Sequence, residues 1–539
     1  MKPLDRGLLA AAGNVSAATQ SNAWDISYAE LEVDSALLGD VSAITHIGVN
    51  TSTNIGGNAG GLFFKPDGTK MYVTGSGGDN VKEYGLSTAW DTTTASLDYA
   101  FDISSEEATS AALVFKPDGT KFYIAGGTSD TVYEYDMSTA WDVSTASYNQ
   151  GFSVATQETL PRGIRFKPDG TKMFITGSDG DEVNEYALST AWDVSTASYS
   201  QNFSVSAQET FPQDLFFSDD GETMWILGST GDDINQYTLS TAWDISTASY
   251  SQTSASLSTY ESLPSALYIA SDQKQLFIIG YYQDNIDSYL FGVKQLSIIS
   301  EEGNSNSIVF STDGTKMYLM GHAGDDINEY NLSTAWEVAT ATYSQKTSVG
   351  TQETTPQGLY IKPDGTALYV TGSTNASVYQ YSLSTAWDIS TLSYVRTLSV
   401  SSQQATPLGV EFKPDGTKMY VCGVTGDKIS EYSLSTAWDI STASHYQDSS
   451  GLASNANNPG EVRFKSDGTK FFVTRSIGSS AVVEYELSTP WDISTATYSA
   501  EKDHIETETT LHGLYVKPDG TKYYVVGRNT DTIFQYAIT

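Results

Sequence analysis

Seven glutamates, Glu107, Glu158, Glu209, Glu261, Glu302, Glu353 and Glu508, each stand six residues ahead of the hydrophobic start of a short strand, with Gln404 in the matching place of one further copy. Carboxylates are hard oxygen ligands, and a set of them gathered at one mouth would hold Ca2+ or steer cationic groups. The bland alternative is that each one caps backbone N–H groups at its own turn. A second acidic series, Asp79, Asp130, Asp181, Asp232, Asp284, Asp325, Asp427 and Asp531, precedes another strand and reads as Asx turns. Catalytic chemistry has little to work with. His46, His322, His445, His504 and His512 share no place in the pattern, and no HExxH, CxxC, GxSxG or Gly-rich phosphate loop occurs. The expectation is therefore no catalytic residue and no cofactor other than Ca2+. A catalytic site would have to arise from departures such as His322, His512 or the long Ser449-to-Asn458 loop.

The elements that must position these residues repeat. A turn Asp falls at Asp67, Asp118, Asp169, Asp220, Asp272, Asp313, Asp364, Asp415, Asp467 and Asp519, at steps of 51 or 52 except for 41 between Asp272 and Asp313. That is a propeller-blade period, longer than helical repeats. In the second copy, Leu113-Val114-Phe115 is strand a, Lys116-Pro117-Asp118-Gly119-Thr120 a hairpin turn, Lys121 to Ala125 strand b and Thr131 to Met137 strand c. STAWDVSTASY follows, then strand d at Gln150 to Val154.

The middle residue of strand a varies (Phe63, Arg165, Glu411, Arg463), which reads as one partly wet position. An aromatic stands five residues past every turn Asp, from Tyr72 and Tyr123 to Tyr524, and a Tyr recurs in every strand c. Such flat bodies, each burying roughly 150–250 Å², suit the space between blades.

The PDGTK-Met-Tyr-Val-x-Gly segment with its Asp turn and Val-x-x-Tyr resembles the YVTN-type β-propeller repeat family, related in style to NHL and TolB blades. The resemblance covers about residues 61 to 539 and implies an all-β propeller of ten four-stranded blades. It implies no activity, because propellers host binders, scaffolds and enzymes alike. Ten blades form one closed ring or two five-bladed propellers. The short step at Asp272 to Asp313 removes chain where a linker would add it, so a single ring is expected. The last copy ends at strand c. Ile44-Thr45-His46-Ile47-Gly48-Val49 is expected to supply its fourth strand and close the ring. Residues 1–43 then form an attachment arm, and 44–539 the propeller.

Composition narrows the partners. With 65 acidic and 28 basic side chains in 539 residues, the formal charge is −37, which repels nucleic acid. No apolar run is long enough to span a bilayer, so no membrane insertion is expected. The apolar stretch from Gly7 to Gly13 is short for a signal peptide. The lone Cys422 leaves no intramolecular disulfide. LSTAWDxSTASY repeats resemble those of tail and surface proteins of marine phages and their bacterial neighbours. That resemblance implies a non-enzymatic, tail-associated structural or host-contact protein of a virion, made in the host cytoplasm. The arm would meet other virion proteins, and the ring would face a host surface glycan or protein. The alternatives are a bacterial surface or periplasmic binding propeller and a glycan-acting propeller enzyme.

Overall fold

The chain reverses at Lys116-Pro117-Asp118-Gly119-Thr120 because Gly119 adopts φ +71°, a conformation that strains any side chain. Asp118 Oδ1 then accepts the Thr120 N–H at 3.0 Å and its hydroxyl at 2.6 Å. This joins strand a (Ser110–Phe115) to strand b (Lys121–Gly126). Strands c (Thr131–Met137) and d (Ala146–Ser153) complete an antiparallel sheet in the order d-c-b-a. In this computed structural model, which describes residues 29–31, 41, 44–50, 58–75, 79–270, 274–280, 285–298, 300–321, 323–449, 452, 455–476, 480–503, 510–528 and 530–538, ten such sheets follow one another. The ten-blade, all-β reading holds, and among the described residues there is no α-helix.

The tryptophan motif works at the seam between blades. Trp141 has φ +63°, and its N–H donates to Gly119 O at 2.9 Å. Its ring lies so close to the turn that a Cβ on Gly119 would come within 2.4 Å of it. The same ring stacks on Phe115 of its own blade and on Phe63 of the blade before. Left-handed backbone at a bulky residue costs on the order of 1–3 kcal/mol, and these contacts offset it. Trp90, Trp192, Trp243, Trp336, Trp387, Trp438 and Trp491 share the conformation; Trp24 lies outside the described residues. The tryptophan carbonyl is in turn hooked by the strand-b tyrosine of the preceding blade: Tyr72 to Trp141 at 2.8 Å, Tyr123 to Trp192 at 2.7 Å and Tyr369 to Trp438 at 2.7 Å.

These seams close after five blades. Residues 33–293 form one compact unit, and 1–32 with 294–539 form another. In the first, the a strands Ala59–Phe64, Ser110–Phe115, Pro161–Phe166, Pro212–Phe217 and Pro264–Ile269 pack in succession, and the fifth packs back on the first. Ser265 Oγ donates to Ala59 O at 2.7 Å across that seam, and Tyr268 OH to Phe64 O at 3.0 Å. In the second, Ser305–Phe310, Pro356–Ile361, Pro407–Phe412, Pro459–Phe464 and Leu511–Val516 do the same, with Leu511–Val516 against Ser305–Phe310. The expectation of a single ten-bladed ring is thus corrected to the alternative of two five-bladed propellers.

Strand pairing gives the reason. Ile44–Asn50 pairs with Ile286–Phe291 of the fifth blade, His46 opposite Tyr289, and not with the last blade as expected. The fourth position of the tenth blade is shared: Gln295–Ser297 pairs with the first half of Thr532–Ile538, and Ala29–Leu31 with the second. The short step therefore marks the crossing between units. Blade five takes its strand d from the N-terminal segment, so the chain can leave it through the short turn 292–294, without the tryptophan-bearing loop, and enter the next ring as a strand. Part of the supposed arm also belongs to the rings, since Val41 is buried and its N–H donates to Gln236 Oε1 at 3.2 Å.

Candidate functional site

The glutamate series does not face a channel mouth. Glu107, Glu158, Glu209, Glu261, Glu302 and Glu353 are each buried within their own blade, under the turn that enters strand a. Oε1 of Glu158 accepts the N–H of Leu160 at 2.8 Å and of Asp179 at 3.3 Å, tying the d–a and b–c loops together. Glu209 does so with Phe211 and Thr230, and Glu353 with Thr355 and Thr374. Glu107 reaches Thr109 N and Ser129 N, Glu261 reaches Leu263 N, and Glu302 reaches Ala323 N. Glu508 lies outside the described residues.

A glycine closing strand b makes the room. A Cβ on Gly228 would fall 1.7 Å from Glu209 Oε2. Burial pushes the Glu158 and Glu261 carboxyls above the usual range and Glu302 to about 7. At Glu107 the upward push of burial is outweighed by hydrogen bonds from Ser129 and Thr109, and the carboxyl is lowered. Backbone donors within each blade thus take Oε1 of these carboxylates, which is the capping role, while the buried Oε2 of Glu158, Glu209, Glu261 and Glu302 has no hydrogen-bond partner. Among the described residues, no group of three or more His, Cys, Asp or Glu is placed to hold a metal ion.

The Asp series before strand c departs from simple Asx turns. Asp79, Asp130, Asp181, Asp232, Asp325, Asp427 and Asp531 have φ of 45–52°, so the backbone itself makes the corner. Asp284 lies outside the described residues. Among the histidines, His445 bonds Asp448 at 3.1 Å on a strand d, and the buried His512 accepts the Thr474 hydroxyl with its main-chain oxygen. His322 and His504, and parts of the Ser449-to-Asn458 loop, lie outside the described residues.

The variable residue of strand a lies toward the centre of each ring; it is half-buried at Phe63, Phe216, Tyr360, Glu411 and Tyr515, in keeping with a partly wet position, and buried at Arg165 and Arg463. In residues 33–293 the Arg165 guanidinium lies 4.9 Å over Phe216, pairs with Asp214 at 3.1 Å and donates to Leu267 O at 2.9 Å. In the other unit Arg463 Nη1 pairs with Glu461 at 3.0 Å and Glu411 at 3.1 Å, and Glu461 Oε2 accepts the Ser307 hydroxyl at 2.6 Å. Burial raises Glu461 to about 7 and Glu411 to about 8, against the downward pull of Arg463. Sequence reasoning missed both clusters. The available signal was an Arg and an acid at the inner edge of strands that are otherwise apolar or glycine there.

At one mouth the outer ends of three a strands border an open cavity of about 180 Å³ lined by Arg162, Gln213 and Ser229 among others. Elsewhere, the outermost strand of most blades carries an exposed tyrosine. Tyr148 is 47 % exposed, and Tyr199, Tyr250, Tyr343, Tyr394 and Tyr498 are alike. Each packs edge-on against the strand-c tyrosine beside it, as Tyr148 does on Tyr135 with ring centroids 5.9 Å apart.

No protein-family model matches this chain, and no curated protein matches it either. Among solved structures it is similar to Kuenenia stuttgartiensis hydrazine synthase (13% identity, 70% of this chain and 96% of that one, TM-score 0.27). It is also similar to a Lactobacillus plantarum protein (11%, 70% and 92%, TM-score 0.26) and to a putative 6-phosphogluconolactonase from Bacteroides fragilis (13%, 78% and 97%, TM-score 0.23). Likenesses this slight carry no argument, and the propeller assignment rests on the strand pairing above. No helix among the described residues is long and apolar enough to cross a membrane.

Proposed function

We propose that the chain is a non-enzymatic binding platform of a bacteriophage particle, tail-associated, that presents rigid propellers to virion proteins or to the host surface. The particle assignment rests on the LSTAWDxSTASY resemblance, and the observation that supports the contact role is the row of exposed tyrosines on the outer strands. Each is braced by an aromatic neighbour, so it loses little conformational freedom on contact, and tyrosine is among the residues enriched at protein interfaces. The glutamates under the strand-a turns and the Arg165 and Arg463 clusters support it from the other side, because they are engaged in holding blades and ring centres together. The segment ahead of Ala29 is assigned the contact with other virion proteins, and the acidic surface suits a protein contact over a nucleic acid.

The test is to band particles from a lysate of the producing host on a density gradient. The chain's peptides should co-migrate with the particles and stay after a high-salt wash. Recovery only in the host envelope fraction would favour the bacterial surface protein, and recovery only in the soluble fraction would contradict the proposal.

A further inference from the structure

We infer that the mouth of the ring formed by residues 33–293 is a binding site for a carboxylate-bearing sugar of one ring, with Arg162 as the anion partner. The cavity lies where the outer ends of three a strands converge, and Arg162, Phe211, Gln213, Ser229 and Leu263 border it. Arg162 makes no ion pair among the described residues, and its buried Nε has no hydrogen-bond partner. In a chain with 65 acidic side chains, an arginine left without a carboxylate at the edge of a cavity is chemically incomplete.

The comparison with the other unit sharpens this. There an arginine from a different place in its blade, Arg528 just past the strand b Lys522–Gly527, is engaged, with Nε donating to Asn306 Oδ1 at 2.6 Å and Nη2 to Gln357 Oε1 at 2.9 Å. The surrounding loop residues differ in the same sense. The residue ahead of strand a is Phe211 or Leu263 at the cavity, and Asn304, Thr355, Thr406, Asn458 or Thr510 in the other unit.

The remaining groups fit a sugar ring. Gln213 donates one amide N–H to Ser229 Oγ at 3.1 Å, which fixes the amide and directs its oxygen as an acceptor for a hydroxyl. Phe211, 40 % exposed, offers an aromatic face to the C–H side of a pyranose. A closed cavity of roughly 150 Å³ holds a benzene, so this open one of about 180 Å³ has room for a six-membered ring. The inference does not depend on the particle assignment, because it concerns the purified protein alone.

The experiment is ligand-observed NMR and calorimetry on the full chain with galacturonate, galactose and acetate as probes. Galacturonate should bind in the millimolar range, with galactose and acetate each at least about tenfold weaker, a difference of about 1.4 kcal/mol. R162Q should weaken galacturonate about tenfold or more with an unchanged melting curve, and F211S should weaken galacturonate and galactose alike while sparing acetate. Absence of galacturonate binding, equal binding by R162Q, or acetate as tight as galacturonate would each overturn the inference.

Discussion

Tyr524 OH donates to Trp336 O at 2.7 Å, the same hook that Tyr72 makes with Trp141 at 2.8 Å. The first pair joins the tenth blade to the sixth across 188 residues of chain, and the second joins neighbours in sequence. The closing seam of residues 294–539 is thus built like the others. Gln535 Oε1 accepts Val338 N–H at 3.0 Å there, in the place of Glu83 on Val143 at 2.9 Å.

Tyr524→Phe should therefore destabilise its ring as much as Tyr72→Phe destabilises the other. One buried hydrogen bond is worth about 1 kcal/mol, and urea unfolding of the two variants reads it. A loss in Tyr72→Phe with none in Tyr524→Phe would mean that blades ten and six do not meet.

Much of this was legible beforehand, for a physical reason. A turn that requires Gly119 at positive φ, and an aromatic five residues past each turn Asp, are demands that every blade makes alone, so they repeat in the sequence. Which strand completes which blade is not a local demand. Ile44–Asn50 has the alternation of a strand d and fits the edge of either incomplete blade, and only the five-blade closure assigns it to Ile286–Phe291. The ring centres were illegible for a related reason. Arg165 and Asp214 come from different blades, 49 residues apart, and each alone looks like a tolerated polar substitution.

The buried glutamates give a second expectation. Gln404 occupies the same place as Glu209 and donates to Lys428 O at 3.0 Å, so the site has room for an amide, although Gln404 Oε1 takes no backbone donor there. Glu209→Gln should cost under about 1 kcal/mol, whereas Glu209→Ala, which strands the Phe211 and Thr230 N–H groups, should cost roughly 1–3 kcal/mol. Gly228→Ala, which would drive a methyl into Glu209, should be at least as harmful. Thermal unfolding checks all three.

Calcium follows from the same geometry. Because these carboxylates already accept backbone N–H groups inside their blades, millimolar Ca2+ should leave the melting temperature of the wild type unchanged relative to chelator. A Ca2+-dependent rise that Glu209→Gln or Glu158→Gln abolishes would contradict the capping role.

The centre of residues 294–539 sets a pH dependence. Glu461 and Glu411 are raised to about 7 and about 8 from the ordinary 4.5, so the folded chain keeps protons that the unfolded chain releases. Their contribution is whole below about pH 4.5 and fades as pH rises through about 7 to 8. The turn aspartates act oppositely: Asp118, Asp169 and Asp415 are lowered to about 2, and their contribution is lost as pH falls below about 4. Stability should therefore peak near pH 5, and Glu411→Gln should flatten the decline on the alkaline side. Arg463→Met should cost roughly 3–5 kcal/mol at pH 8, where it leaves buried carboxylates without their counter-charge, and less at pH 5. Denaturant titrations across pH read both effects.

Single-particle imaging of the purified full-length protein tests the ring assignment most directly. Class averages should show closed discs of five blades each, with density filling the centre where Arg165 and Arg463 sit. Averages showing one disc of ten blades, or discs with an open axial channel, would contradict it.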